Sequence, residues 1–190
     1  MIGIAASAGG LAALSVVLSS IPADFPAAIL VVQHLDPDHR SHLAEIMGRR
    51  TSINAKQASD GERIEAGTVY FGVPDRHLIL NRDLTVSLTS SPASHYVRPA
   101  ADLLFRSMAE ACGARVIVVV LTGGGSDGAE GAKAVKEAGG TVIAQDESTS
   151  EFFSMPKAAI ETGRVDHVLP LHSIAGVITD VLRKRQASSG

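Results

Sequence analysis

Apolar residues along this chain fall into two rhythms, continuous short runs and stripes of helical spacing, and the two alternate from end to end. Residues 1–6 form the first apolar run. Gly9 and Gly10 break it, and beyond them Leu11, Leu14 and Leu18 recur at i, i+3 and i+7, one face of a helix. The reading is strand, tight turn, helix, with Ser7 at the turn. A second run, residues 27–32, is apolar throughout, as suits a strand buried on both faces of a parallel sheet. Gln33 and His34 end it, Asp36, Pro37 and Asp38 offer a turn, and residues 41–50 read as a helix. Residues 53–58 form a short third strand.

From Asp60 the rhythm changes. Three β-prone runs, residues 68–73, 77–81 and 85–89, are separated by turn signals. Asn81, Arg82 and Asp83 between the last two predict an antiparallel hairpin, placing an insertion within about residues 68–89. A polar loop over 90–99 leads to Pro99, which fits a first helical turn, and a helix over 100–111 that buries Leu103, Leu104 and Met108. Residues 115–122 hold the densest β-branched run and predict the central strand. Glycines at 123–125 and 128 break it. A helix over 129–138, a strand over 141–144, a loop, a helix over 156–161, a strand over 167–171 and a terminal helix over 174–184 complete the pattern. The alternation predicts an α/β fold: a single doubly wound, mostly parallel sheet flanked by helices, with an antiparallel β-hairpin insertion. One domain over residues 1–186 and a disordered tail over 187–190 are expected.

Composition narrows the function. The 190 residues are 45% apolar and 19% charged with net charge −3, and lysine and arginine are scattered, so neither nucleic acid nor an anionic membrane is an expected partner. No apolar run has the length of a membrane span, and no secretory signal opens the chain. Cys112, the single cysteine, excludes an internal disulfide and reads as a small core residue. A cytoplasmic location is expected. His39, His42, His77, His95, His167 and His172 show no ligand spacing, so no metal is expected.

In a doubly wound fold, ligands bind outside the carboxyl ends of the strands near the switch in strand order. Ser7, His34 and Asp127 each follow a strand, so the fold brings a hydroxyl, an imidazole and a carboxylate to one edge. Those are the parts of a nucleophilic serine, its base and the group that holds the base's tautomer. Each also has a plain structural reading: Ser7 and Asp127 as helix caps, His34 as a strand-end residue. The chain order Ser, His, Asp, and Ala5 in place of the first glycine of G-x-S-x-G, exclude the common α/β-hydrolase. A rival motif overlaps the site. Gly123 to Gly128 also reads G-x-G-x-x-G between a strand and a helix, with Asp146 ending the next strand, the context of a dinucleotide-binding turn. Against it, that turn usually belongs to the first βα unit, and it leaves Ser7 and His34 without a role.

Several stretches in family order resemble the catalytic domain of the CheB family of chemotaxis receptor methylesterases. They are I-A-A-S-A-G-G around Ser7, V-V-Q-H at His34, R-P-A-A-D-L-L-F-R-S from Arg98, L-T-G-G-G-S-D-G-A from Leu121, and A-Q-D-E-S from Ala144 with Met155 and Pro156 beyond. The resemblance covers nearly the whole chain. It implies a nucleophile at Ser7, a general base at His34 and an orienting carboxylate at Asp127, with oxyanion or substrate contacts at Gly124, Ala8 and Gly9 and no cofactor. It also implies hydrolysis of glutamate γ-methyl esters on methyl-accepting chemotaxis receptors, and related enzymes deamidate receptor glutamines too. Family members often carry an N-terminal phosphoreceiver domain, whereas Met1 here opens directly on the catalytic domain, so an excised domain or a different regulation is expected. Ala8, Gly124 and Ser126 depart from the common family residues threonine, methionine and asparagine. These changes are expected to affect efficiency rather than reaction class. The alternative is a non-catalytic module on the same fold that binds receptor or dinucleotide through the 123–128 loop.

Overall fold

The structure, a computed structural model, describes residues 1–34, 41–90 and 98–187. It opens with β1 (Ile2–Ala6), a turn through Ser7, and α1 (Gly10–Ser19). Gly9 makes the turn with φ 76, in the left-handed region that a side chain disfavours. Next come β2 (Ile29–Gln33), α2 (Leu43–Arg50), β3 (Asn54–Gln57) and β4 (Thr68–Phe71). The hairpin strands β5 (His77–Leu80) and β6 (Val86–Thr89) precede α3 (Ala101–Cys112). The chain then alternates through β7 (Ile117–Val120), α4 (Ala129–Glu137), β8 (Thr141–Gln145), α5 (Ser154–Glu161), β9 (His167–Leu169) and α6 (Ile174–Ala187).

Seven strands form one sheet in the order β3-β4-β2-β1-β7-β8-β9, every pairing parallel. From β1 the chain first winds outward to β2, then returns to place β7 on the other side, so the switch in strand order lies at β1. Side chains alternate between two cores. Ile2, Ile4, Ile29, Val31, Ile117 and Val119 face one core with Leu14, Leu18, Met47 and Ile178. Ala5, Leu30, Val32, Val118 and Val120 face the other with Leu104, Phe105, Met108 and Val135. Strands covered on both faces carry continuous apolar runs, which is why β1, β2 and β7 were visible in the sequence.

Some expectations are corrected. Residues 68–71 belong to the parallel sheet as β4, between β2 and β3, and only β5 and β6 make the antiparallel hairpin. All residues of β4 are buried, as for a strand with neighbours on both edges. The middle strand is β1, with β7 beside it. On α1 the buried face runs through Gly10, Ala13, Leu14, Val17 and Leu18, leaving Leu11 43% exposed. On α3, Phe105 is fully buried and Leu103 only half-buried, because the core stripe runs through positions 101, 104, 105, 108 and 112. Pro99 lies just before the N-cap Ala100. Cys112 is free and buried. The expected turn at 36–38, most of the loop over 90–99, His39, His95 and tail residues 188–190 lie outside the described residues. Ala187, assigned to the tail, is the last residue of α6.

Candidate active site

Ser7, His34 and Asp127 are brought to one edge by the ends of β1, β2 and β7. Ala6 pairs with Gln33, so Ser7 and His34 stand at the next register position of adjacent strands. The ladder continues there: His34 N–H donates to Ala6 O at 3.0 Å, and Ser7 N–H to Thr122 O at 3.0 Å on the β7 side. The Ser7 carbonyl accepts from Gly10 N–H and from Gln33 Nε2, each at 2.8 Å. Gly10 leaves room for that amide, since a Cβ there would overlap Gln33 Oε1. The backbone of Ser7 is therefore tied to both neighbouring strands. Its side chain does not cap α1, whose N-cap is Gly9. Among the described residues Ser7 Oγ makes no hydrogen bond, to His34 or otherwise, so the chain of contacts is closed between His34 and Asp127 and open at Ser7.

His34 Nε2 and Asp127 Oδ2 lie 2.8 Å apart, with the two side chains 13% and 2% exposed. Asp127 also accepts from the backbone N–H groups of Ala101 (2.6 Å, Oδ2) and Asp102 (2.9 Å, Oδ1), in the first turn of α3. Burial pushes its carboxyl up. The hydrogen bond from His34 and the two backbone N–H groups outweigh that push and hold it below the usual carboxylate range. Asp127 is thus a carboxylate at neutral pH and can only accept, so His34 Nε2 carries the hydrogen and donates it. The lone pair of the imidazole is then on Nδ1, the nitrogen a base needs.

The glycine loop has a different chemistry from a dinucleotide turn. The backbone N–H groups of Gly128 and Gly131, at the start of α4, donate to Asp102 Oδ1 at 3.0 and 2.7 Å. A pyrophosphate seated on that helix end would meet a carboxylate already there. Asp146 is bound within its own loop, to Ser148 Oγ and to Thr149 N–H and Oγ1. Of the expected oxyanion residues, Ala8 and Gly124 are exposed and Gly9 is half-buried, and the space beyond the Gly124 Cα is open.

Sequence reasoning missed Gln33, Thr122, Asp102 and His77. Thr122 Oγ1 donates to Ala8 O or Phe152 O, at 3.1 and 3.2 Å, and accepts from Phe152 N–H at 2.9 Å, joining the loop after β8 to the turn after Ser7. His77, read as isolated, is fully buried, and its Nδ1 accepts from Ala100 N–H at 3.1 Å ahead of α3. A polar residue at a strand end or in a first helical turn was the available signal; its partner, far away in the chain, was not.

Known proteins share this sequence and this fold. A family model described as CheB methylesterase matches residues 2–178. A protein-glutamate methylesterase/protein-glutamine glutaminase 2 of Burkholderia orbicola is 41% identical over 183 residues, covering 96% of this chain and 55% of that protein. A protein-glutamate methylesterase/protein-glutamine glutaminase of Pyrococcus horikoshii is 42% identical, covering 91% of this chain and 48% of its own length. The chain thus spans about half the length of the curated relatives it matches. The crystal structure of the Thermotoga maritima CheB methylesterase catalytic domain superposes with a TM-score of 0.92 at 38% identity, covering 95% of this chain and 97% of that one.

Proposed function

Because the chain belongs to the CheB methylesterase family, we propose that it hydrolyses γ-methyl esters of protein glutamates, with Ser7 as nucleophile, His34 as general base and Asp127 as the carboxylate that orients the base. The observation that carries this reading is the 2.8 Å contact between His34 Nε2 and Asp127 Oδ2, at the register position beside Ser7. Ser7 Oγ attacks the ester carbonyl as His34 Nδ1 takes its proton. The imidazolium is stabilised by Asp127, which stays ionised. Collapse of the tetrahedral intermediate breaks the carbonyl–methoxy bond, and His34 returns the proton to release methanol. Water, deprotonated in turn by His34, then attacks the acyl group on Ser7, freeing the glutamate and restoring the hydroxyl. Backbone N–H groups of Ala8, Gly9 and Gly124 are assigned to the developing oxyanion. Attack on a glutamine side chain follows the same path with ammonia leaving, the second activity in the relatives' names.

The substrates are methyl-accepting chemotaxis receptors, reached from the cytoplasm, and a phosphoreceiver domain or protein is the regulator. The family resemblance supports these assignments. Among the described residues no helix is long and apolar enough to cross a membrane. A serine-directed fluorophosphonate tests the nucleophile. One adduct is expected, on the peptide carrying Ser7, absent from Ser7→Ala and much slower in His34→Gln. An adduct elsewhere, or none on an otherwise folded protein, would overturn the assignment of Ser7.

A further inference from the structure

Helices α3 and α4 meet at their N-termini, and each is capped by a carboxylate that belongs to the other. Asp127, just before α4, accepts from Ala101 and Asp102 N–H at the start of α3. Asp102, in the first turn of α3, accepts from Gly128 and Gly131 N–H at the start of α4. We propose that Asp102 is a positioning residue for the reaction: by holding the backbone that follows Asp127, it keeps the Asp127 carboxylate on His34. The inference rests on the esterase reading and names the group standing behind its carboxylate.

The geometry forms a closed ring. It runs from Asp102 N–H to Asp127 Oδ1, through Asp127 to the next peptide's Gly128 N–H, and back to Asp102 Oδ1, over contacts of 2.9 and 3.0 Å. Both side chains are nearly sealed from water, at 1% and 2% exposure, where hydrogen bonds are strong and an unmade one is costly. Little on the near side does the same work. The loop from Gly123 to Gly128 is rich in glycine, Gly125 and Gly128 have φ 83 and 97, and α4 has no side-chain cap of its own. The loop's own hydrogen bonds hold its ends, Gly123 to Phe152 and Met155 and Ser126 O to Ala129 N–H, whereas the backbone ties of the Asp127 carboxylate run to α3. The separation of the helices is set as tightly: a Cβ on Gly131 would stand 3.0 Å from Asp102 Cα.

The test compares Asp102→Ala, which removes the acceptor, with Asp102→Asn, which keeps an oxygen of the same shape. In methanol-release assays on methylated receptor, Asp102→Ala is expected to lower kcat by at least about thirty-fold, with KM changed less than about three-fold. Asp102→Asn keeps activity within about ten-fold. In an Asp127→Asn background, adding Asp102→Ala costs less than about three-fold, since its effect runs through Asp127. The low-field proton of His34 Nε2–H, read by NMR, persists in wild type and Asp102→Asn and is lost in Asp102→Ala. Equal losses in both backgrounds would overturn the proposal. So would an unmoved proton signal in folded Asp102→Ala, or an Asp102→Asn as impaired as the alanine variant. A wild-type chain that releases no methanol would sink the esterase reading, and the NMR signal would still decide the positioning claim. Should Asp102→Ala not fold, Asp102→Ser, whose oxygen lies one bond nearer the backbone, takes its place with the same expected losses.

Discussion

Asp127 accepts from three directions at once, from His34 Nε2 and from the backbone N–H groups of Ala101 and Asp102. As a cap alone it would tolerate asparagine, which caps a helix as well as aspartate does. As the group orienting His34 it would not, because an amide invites the wrong imidazole tautomer; in a serine protease that change costs about ten-thousand-fold in turnover. Asp127→Asn is expected to lose at least about a hundred-fold in esterase turnover with near-wild-type folding. Full activity in a well-folded variant would return Asp127 to a capping role. Its titration gives a second prediction. The folded pKa lies below the unfolded value of about 3.9. Between the two, the unfolded chain binds more protons, so stability rises with pH across that window and is complete above it. The stability gap between wild type and Asp127→Asn should hold from neutral pH to about pH 4 and shrink as pH falls through the folded pKa. Thermal midpoints of both proteins across that range check this, and a gap that persists in acid would contradict it. The positions Ser7, His34 and Asp127 were legible because each follows an apolar run at a strand end. Asp102 was not, since its acceptor contacts lie 26 and 29 residues away.

Periodicity located nearly every helix and strand, and it failed where two neighbours compete for one residue. Leu11 has the spacing of a core position, but the left-handed turn at Gly9 sets the phase of α1 so that Ala13 and Val17 face the sheet instead. Residues 68–71 fall within the expected insertion, because a short β-prone run carries no mark of the strand it will pair with. The pairing of β4 with β2 joins residues far apart in the chain, which a local pattern does not report. The contact of α3 with α4 is likewise unwritten in either helix, and it is where an element-scale prediction belongs. In Gly131→Ala the new Cβ would stand 2.6 Å from Phe105 Cβ and 3.0 Å from Asp102 Cα. Alanine gains about 1 kcal/mol in helix propensity, but overpacking a site with no flexible neighbour costs about 1–3 kcal/mol. The clash wins, so a lower urea midpoint is expected, with an unchanged slope of free energy against urea. Turnover should fall with it, as the helices that hold Asp127 are pushed apart. An unchanged or raised midpoint would show that the helix contact has slack.

Across the whole molecule, the doubly wound plan decides what can meet. It covers β1, β2 and β7 on both faces, which makes them apolar and therefore readable, and leaves their carboxyl ends as the place where polar side chains converge. The same covering makes the core on the α3 side structural support for the site. Phe105 is fully buried there, and Phe105→Ala is expected to cost about 3–5 kcal/mol, much of a domain's total of about 5–15 kcal/mol. Phe152, 46% exposed, should change by less than about 0.5 kcal/mol on the same substitution. Urea denaturation of the two variants measures the contrast, and similar losses would contradict the assignment of the core. The central claim is that this edge of the sheet hydrolyses glutamate methyl esters through Ser7. Its most direct test is single-turnover release of methanol from methylated chemotaxis receptor, with enzyme in excess, for wild type and Ser7→Ala side by side. The account predicts release by wild type and none above background from a folded Ser7→Ala. No release by wild type, or equal release by both proteins, would contradict it.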